Sequence, residues 1–209
     1  MPEGYVQHWN SSKKVKGYSG VAIFSKIAPL SVQHDIGVSK HDQEGRVLTL
    51  EFPAFILVAC YTPNAGEGLK RVDYRVNEWD VDFFNFITSL ESKGKAVILT
   101  GDLNCAHKDI DIYDPKGKEK NPGFSPQERK SFDEFLASKN YIDTFRHFYP
   151  TTKKFSFWSL RANLRPSNRG WRLDYFLINK DSMPLVADSL IHNQYEGSDH
   201  CPIELKLKM

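Results

Sequence analysis

The run Ala96-Val97-Ile98-Leu99-Thr100 constrains the fold more than any other stretch of the chain. β-Branched residues favour extended backbone, and a strand without polar alternation must be covered on both faces. Such a strand needs a layer above and a layer below. Further short apolar runs at 21–25, 46–52, 54–61, 172–178, 185–191 and 203–207 also read as strands. The pair 46–52 and 54–61, joined at Pro53, reads as a tight hairpin.

Two segments read as helices. Across 70–92, Val72, Val76, Trp79, Phe83, Phe86 and Leu90 recur at three- and four-residue steps and form one apolar stripe. Across 125–139, Ser125 can cap, Pro126 takes the first helical position and Glu128 completes a capping box, with Phe132, Phe135 and Leu136 facing inward. Strands outnumber helices, and the helices separate strand groups. The class is therefore α/β, with sheets packed on each other and helices outside. No interior linker interrupts the 209 residues, so a single domain, 1–209, is expected.

A net charge of +2 excludes a strongly basic coat, so an anionic partner would have to meet a local patch. The three cysteines, Cys60, Cys105 and Cys201, lack metal-type spacing and read as buried thiols in a reducing compartment. The first residues lack the pattern of a signal peptide, and no apolar run reaches the roughly 20 residues of a membrane span. A soluble chain without a membrane partner is expected.

The chemistry-bearing residues sit where apolar runs end. Gly197-Ser198-Asp199-His200-Cys201-Pro202-Ile203 sets a carboxylate beside an imidazole just before the last strand. Asp102 and Asn104 follow the buried run, where strand alternation would point both side chains one way. A turn explains that pair as well as a site does. Asp174 interrupts Leu173, Tyr175, Phe176, Leu177 and Ile178; it is either a salt-bridge partner of Arg172 or Arg169 or the orienter of His200. Separated carboxylates with one Asn and one His suit a hard, oxygen-ligated ion such as Mg²⁺, with Mn²⁺ as the alternative. Zinc lacks its His pair or Cys cluster, and no serine sits on a nucleophile elbow. Tyr61 and Asn64 leave a strand and could hydrogen-bond a phosphate. Arg161, Arg165, Arg169 and Arg172, framed by Phe157, Trp158 and Trp171, combine charge with rings, as a nucleic-acid surface does.

Seven stretches resemble, in order, the exonuclease III-type apurinic/apyrimidinic endonucleases, eukaryotic branch, of the endonuclease/exonuclease/phosphatase superfamily. They are Gly17-Tyr18-Ser19-Gly20-Val21, His41-Asp42-Gln43-Glu44-Gly45-Arg46, Tyr61-Thr62-Pro63-Asn64-Ala65-Gly66, Gly101-Asp102-Leu103-Asn104, Gly123-Phe124-Ser125-Pro126-Gln127-Glu128-Arg129, Gly170-Trp171-Arg172-Leu173-Asp174-Tyr175-Phe176 and the Gly197–Ile203 stretch. The resemblance implies a deoxyribonuclease I-like α/β-sandwich of two packed sheets with outer helices. It implies that Asp102 positions or deprotonates the attacking water, and that Asn104 and Asn64 hold the scissile phosphate. It further implies that His200, oriented by Asp174, bonds a phosphate oxygen, with Tyr61 against the same phosphate. Asp199, with Asp102 and Asn104, would serve the metal. Phe157, Trp171 and Leu173 would form the pocket for a flipped-out base-less sugar, which leaves the duplex cheaply because no base pair is lost. Tyr18 and Arg46 would lie near the DNA backbone; Arg161, from the basic and aromatic stretch, is the further expected DNA contact.

The implied activity is Mg²⁺-dependent hydrolysis of the phosphodiester 5′ to an abasic site in duplex DNA, in base-excision repair, with 3′-phosphodiesterase or 3′–5′ exonuclease activity as an addition. A monomer acting in the nucleus is implied, with cytoplasm or mitochondrion as other addresses. The chain departs from the family pattern at its start. Segments carrying Trp-Asn-x-Asn-Gly and Gln-Glu-Thr-Lys, the second with the family's main metal-ligand glutamate, have no counterpart here. The expectation is an N-terminally incomplete domain with uncovered apolar faces and weak metal binding. A non-catalytic DNA-binding or interaction remnant and another phosphoesterase of the superfamily are the alternatives.

Overall fold

The structure, a computed structural model, describes residues 3–208. Among these, ten strands and three α-helices follow in chain order: β1 (Val6–Asn10), β2 (Val21–Ser25), β3 (Ser31–His34), β4 (Val47–Glu51), β5 (Phe55–Tyr61), α1 (Asp80–Ser89), β6 (Ala96–Asp102), α2 (Pro126–Ser138), β7 (Tyr141–Asp143), α3 (Thr144–Phe148), β8 (Asp174–Asn179), β9 (Val186–Ile191) and β10 (Ile203–Leu207). One six-stranded sheet, in the order β3-β4-β5-β6-β8-β7, forms the central layer. Within it only the β5–β6 pair is parallel. The 55-to-102 crossover that this pairing demands carries α1.

The apolar run is strand β6, with Ala96, Val97, Ile98 and Leu99 all buried. On one face Val97 and Leu99 join Ile56 and Val58 of β5, Leu177 of β8, Trp79, Phe83 and Ile87 before and along α1, and Phe132 and Phe135 of α2. On the other face Ile98 meets Ile178, Met183 and Val186, while Leu48 and Leu50 of β4 meet Ile23 of β2. The second layer is in two halves, the ribbon β1–β2 and the ribbon β9–β10, rather than one continuous sheet. Beside the β1–β2 ribbon lies an apolar hollow lined by Ile23, Phe24, Phe52, Phe55 and Leu57.

The hairpin at Pro53 pairs Val47 with Cys60 through Glu51 with Ile56. The α2 capping box is in place: the Glu128 amide donates to Ser125 Oγ at 3.3 Å, and Ser125 N donates to Glu128 Oε2 at 3.2 Å. The 70–92 helix differs from its expected form. It begins with one wide π-type segment, Tyr74–Trp79, before α1. The extra residue per turn rotates the stripe, so Arg75, Trp79, Asp80, Phe83 and Ile87 are buried, and Phe86 only packs at the edge of that cluster. Strands β1, β3 and β7 carry weak signals in the sequence: β3 is exposed throughout and β7 has three residues.

Candidate active site

Sheet register assembles the centre of the site. Tyr61 ends β5 opposite Asp102 at the end of β6, and Asp102 stands opposite Asp174 at the start of β8. Directly paired residues in neighbouring strands project to the same face. Three residues distant in sequence thus form one row across the central strands. Gly101 allows that row to close. Its φ is +127°, and a Cβ there would stand 2.0 Å from the Cys60 carbonyl oxygen.

The step from Asp102 to Asn104 corrects the simple alternation reading. The strand stops at Asp102, and Asn104 adopts a left-handed φ of 48°. Asp102 Oδ1 accepts the Asn104 amide at 2.8 Å, so a tight side-chain-to-backbone turn brings both residues to the cavity. The Asn104 side chain is committed on both ends. Its Nδ2 donates to the Thr62 carbonyl at 2.8 Å, and its Oδ1 accepts from Asn64 Nδ2 at 2.9 Å. The buried amide is a strut that fixes Asn64.

Asp174 is the orienter, not an arginine partner. His200 Nδ1 lies 2.7 Å from Asp174 Oδ2. Arg172 pairs instead with Asp111 at 2.7 Å and Asp143 at 2.6 Å, both buried. Two neighbours hold the histidine. Its ring lies 4.9 Å from that of Phe157, and the Trp158 amide donates to the Asp199 carbonyl at 2.8 Å.

One cavity of about 410 Å³ collects Tyr61, Asn64, Asp102, Asn104, Phe157, Trp171, Leu173, Asp199 and His200. Asn121, Pro122 and Gly123 complete its lining and were not expected. They lie just before the helix cap at Ser125; Gly123 opens a matched stretch, but no signal marked these three residues for the cavity. The three other expected substrate residues are elsewhere. Arg161 is on an exposed loop that does not line the cavity. Arg46 is only 3% exposed and donates to the Tyr61 carbonyl at 2.9 Å, to Glu44 at 2.7 Å and to the Tyr18 hydroxyl at 3.0 Å. Its guanidinium stacks on Tyr61, 4.9 Å from the ring centroid. Arg46 is thus corrected from a DNA contact to the support that sets Tyr61, and Tyr18 caps it from the surface.

Two supports were missed because their residue types carry no motif. Arg75 is 2% exposed and donates to the carbonyls of Pro63 at 3.0 Å and Leu103 at 2.9 Å, with Asp80 at 2.8 Å as its counter-ion. One guanidinium therefore ties the Asn64 loop to the Asp102–Asn104 turn. Ser156 is fully buried. Its hydroxyl accepts the amides of Leu173 and Asp174 at 3.0 and 3.1 Å, and its carbonyl accepts the Cys201 amide at 2.8 Å. It joins the Asp174 strand to the His200 segment.

Electrostatics follow from this crowding. Burial, then the Asp174 carboxylate, pushes the Asp102 carboxyl up to about 7. Burial works against the His200 imidazolium, but the Asp174 hydrogen bond and the fields of Asp174, Asp102 and Asp199 raise it to about 9. Burial, then Asp102, raises the Tyr61 hydroxyl and keeps it a donor. All three cysteines are buried and free, and burial pushes Cys60 up to about 12, which makes it inert.

The donors facing the cavity are hard oxygens. Among the described residues no three acidic, histidine or cysteine side chains gather closely enough to hold a metal ion. Mg²⁺ nevertheless needs only one or two carboxylates, since it keeps waters and takes substrate phosphate oxygens. Three carboxylates face a single imidazole here, and Asp102 is raised by its neighbour, so the cavity has unbalanced negative charge that a cation would relieve. Asp102 and Asp199 fit that class of ion.

The chain matches the model of the Endonuclease/Exonuclease/phosphatase family over residues 3–200. It is 48% identical over 208 residues to the DNA repair nuclease APEX1 of Danio rerio, covering 99% of this chain and 66% of that protein. It is also 48% identical over 206 residues to an exodeoxyribonuclease of Bacillus subtilis (strain 168), covering 98% of this chain and 80% of the relative. The crystal structure of the AP endonuclease LMAP from Leishmania major superposes with a TM-score of 0.88 at 31% identity, over 99% of this chain and 71% of that one.

Proposed function

This chain belongs to the endonuclease/exonuclease/phosphatase family, and from that premise we propose that it hydrolyses the phosphodiester 5′ to an abasic site in duplex DNA. The carrying observation is the Tyr61–Asp102–Asp174 row joined to His200 in a cavity with an apolar wall of Phe157, Trp171 and Leu173. The polar side suits a phosphate and a water. The apolar side suits a sugar that has lost its base.

Asp102 is the proton acceptor. Burial and the Asp174 carboxylate raise Asp102 above the ordinary carboxylate range and make it a better base for a water proton, while a bound cation would draw it back down. His200 uses Nδ1 on Asp174, which leaves Nε2–H to donate to a phosphate oxygen. Tyr61 O–H and the second Asn64 N–H supply further donors to the same group. Asp174 keeps the imidazole protonated and fixes its ring, so its role is positional. Asp102 and Asp199 would hold a divalent ion, Mg²⁺ or Mn²⁺, which when bound neutralises phosphate charge and acidifies water.

The relative named an exodeoxyribonuclease supports a 3′-end activity at the same cavity. A monomer acting in the nucleus belongs to the same proposal. Incision of a duplex bearing one abasic analogue tests it, with Mg²⁺ and with chelator, beside an undamaged duplex. The expected product is a nick 5′ to the analogue with a 3′ hydroxyl, absent with chelator and reduced about 10²- to 10⁴-fold in Asp102→Ala. Tight, salt-sensitive binding without a nick would replace this reading with a binding role. Cleavage indifferent to chelator would overturn it.

A further inference from the structure

The sequence sets Arg165 beside Arg161 and Arg169 as surface charge, but the structure gives it a different task. Its guanidinium lies over Trp158, 4.6 Å from the ring centroid. Trp158 is 2% exposed, and its indole N–H donates to Asn168 Oδ1 at 3.1 Å. Gly170 permits that packing, because a Cβ there would stand 2.5 Å from the indole nitrogen. A guanidinium stacked on an anchored ring holds its N–H groups in one plane.

Those N–H groups point into the segment that leads to Asp199. Arg165 donates through Nη1 to the Ser198 carbonyl at 2.7 Å, and through Nη2 to the carbonyls of Asn193 at 3.3 Å and of Tyr195. Residues 193–198 are exposed without a break, and Gly197 among them has a φ of +112°. A loop that buries so little has no core to keep it in place. Its own bonds are local: the Tyr195 amide donates to the His192 carbonyl at 3.1 Å, and the His200 amide to Ser198 Oγ at 3.2 Å. Among the described residues, every hydrogen bond that reaches 193–198 from a distant segment comes from Arg165.

We propose that Arg165 is a positioning residue: it clamps the 193–198 loop onto Trp158 and so sets Asp199 and His200 at the cavity. The catalytic consequence rests on the abasic-site reading of that cavity; the clamp itself does not. A DNA phosphate is the competing partner for such an arginine, and the two roles differ in what lysine can replace. Lysine keeps the charge, which suffices for a phosphate. It is a point donor on a flexible stem and cannot lie flat on the ring while reaching three carbonyls.

Amide exchange followed by NMR on the metal-free chain without DNA tests the clamp alone. In Arg165→Gln and in Arg165→Lys the Tyr195 and His200 amides are expected to exchange about tenfold faster, while those of β6 are unchanged and report an intact fold. In single-turnover incision of an abasic duplex with Mg²⁺, both variants are expected to be slowed about 10- to 100-fold at saturating protein. The slope of log affinity against log salt, measured in chelator, is expected to match the unsubstituted chain. Exchange unchanged in both variants would overturn the clamp. Faster exchange with an undiminished incision rate would overturn the positioning of Asp199 and His200. A slope lowered by about 0.9 in Arg165→Gln and restored, with the rate, in Arg165→Lys would make Arg165 a phosphate contact and overturn the proposal. Absence of incision by the unsubstituted chain would overturn the abasic-site reading, and exchange would then still decide whether Arg165 holds the loop.

Discussion

A single hydrogen bond decides which histidine nitrogen faces the substrate. His200 Nδ1 is held by Asp174 at 2.7 Å, with the imidazole still partly open to solvent. In metal-free buffer the His200 ring is expected to titrate at about 9 by NMR, against an ordinary value of 6.5. In Asp174→Asn the midpoint is expected to fall well below 9, because burial is then opposed only by the fields of Asp102 and Asp199. A midpoint unmoved by Asp174→Asn would contradict the pairing. The linkage has a sign. A folded value above the unfolded one contributes stability that is complete below about 6.5 and is lost as pH rises through about 9. At this scale the sequence was readable where a charged residue broke an apolar run, as Asp174 does, and at the adjacent Asp199 and His200. It was silent on Ser156 and Arg75, whose work is done through backbone carbonyls and amides and needs no motif.

Elements position these residues by register rather than by proximity in sequence. The strands β5, β6 and β8 were legible from their apolar runs, and the α2 cap from Ser125, Pro126 and Glu128. The pairing of Tyr61 with Asp102 and of Asp102 with Asp174 was not, since register depends on contacts between distant strands. The π-type turn at Tyr74–Trp79 was also hidden, because it breaks the very period used to find the helix. That turn delivers Arg75 to the loops of the site. Arg75→Met leaves Asp80 buried without its counter-ion, and a loss of about 3–5 kcal/mol is expected. For a chain of this size this lowers the melting temperature by roughly 6–20 °C. Adding Asp80→Asn removes the stranded charge and keeps an acceptor for Ser131, which lies 2.7 Å away. The pair of changes is expected to restore most of the stability while kcat stays low, because Pro63 and Leu103 remain untethered. Recovery of kcat together with stability would show Arg75 to be structural only.

At the scale of the whole molecule, one six-stranded sheet carries the site at its strand ends, and an apolar hollow lies beside the β1–β2 ribbon. The sequence placed nine of the cavity's twelve lining residues. The misplacements share a cause. Arg46 was placed by a matched motif and Arg161 by its basic and aromatic neighbours, and neither signal reveals whether an arginine is stacked inside or free outside. The account depends on Asp102, Asp174 and His200 acting on one phosphate as a unit. Single-turnover incision of an abasic duplex with Mg²⁺, for Asp102→Asn, Asp174→Asn and both together, tests this most directly. Each single change is expected to slow cleavage about 10²- to 10⁴-fold, and the double variant far less than the product of the two, as groups that act together behave. Multiplicative losses, or cleavage at the unsubstituted rate in either single variant, would contradict it.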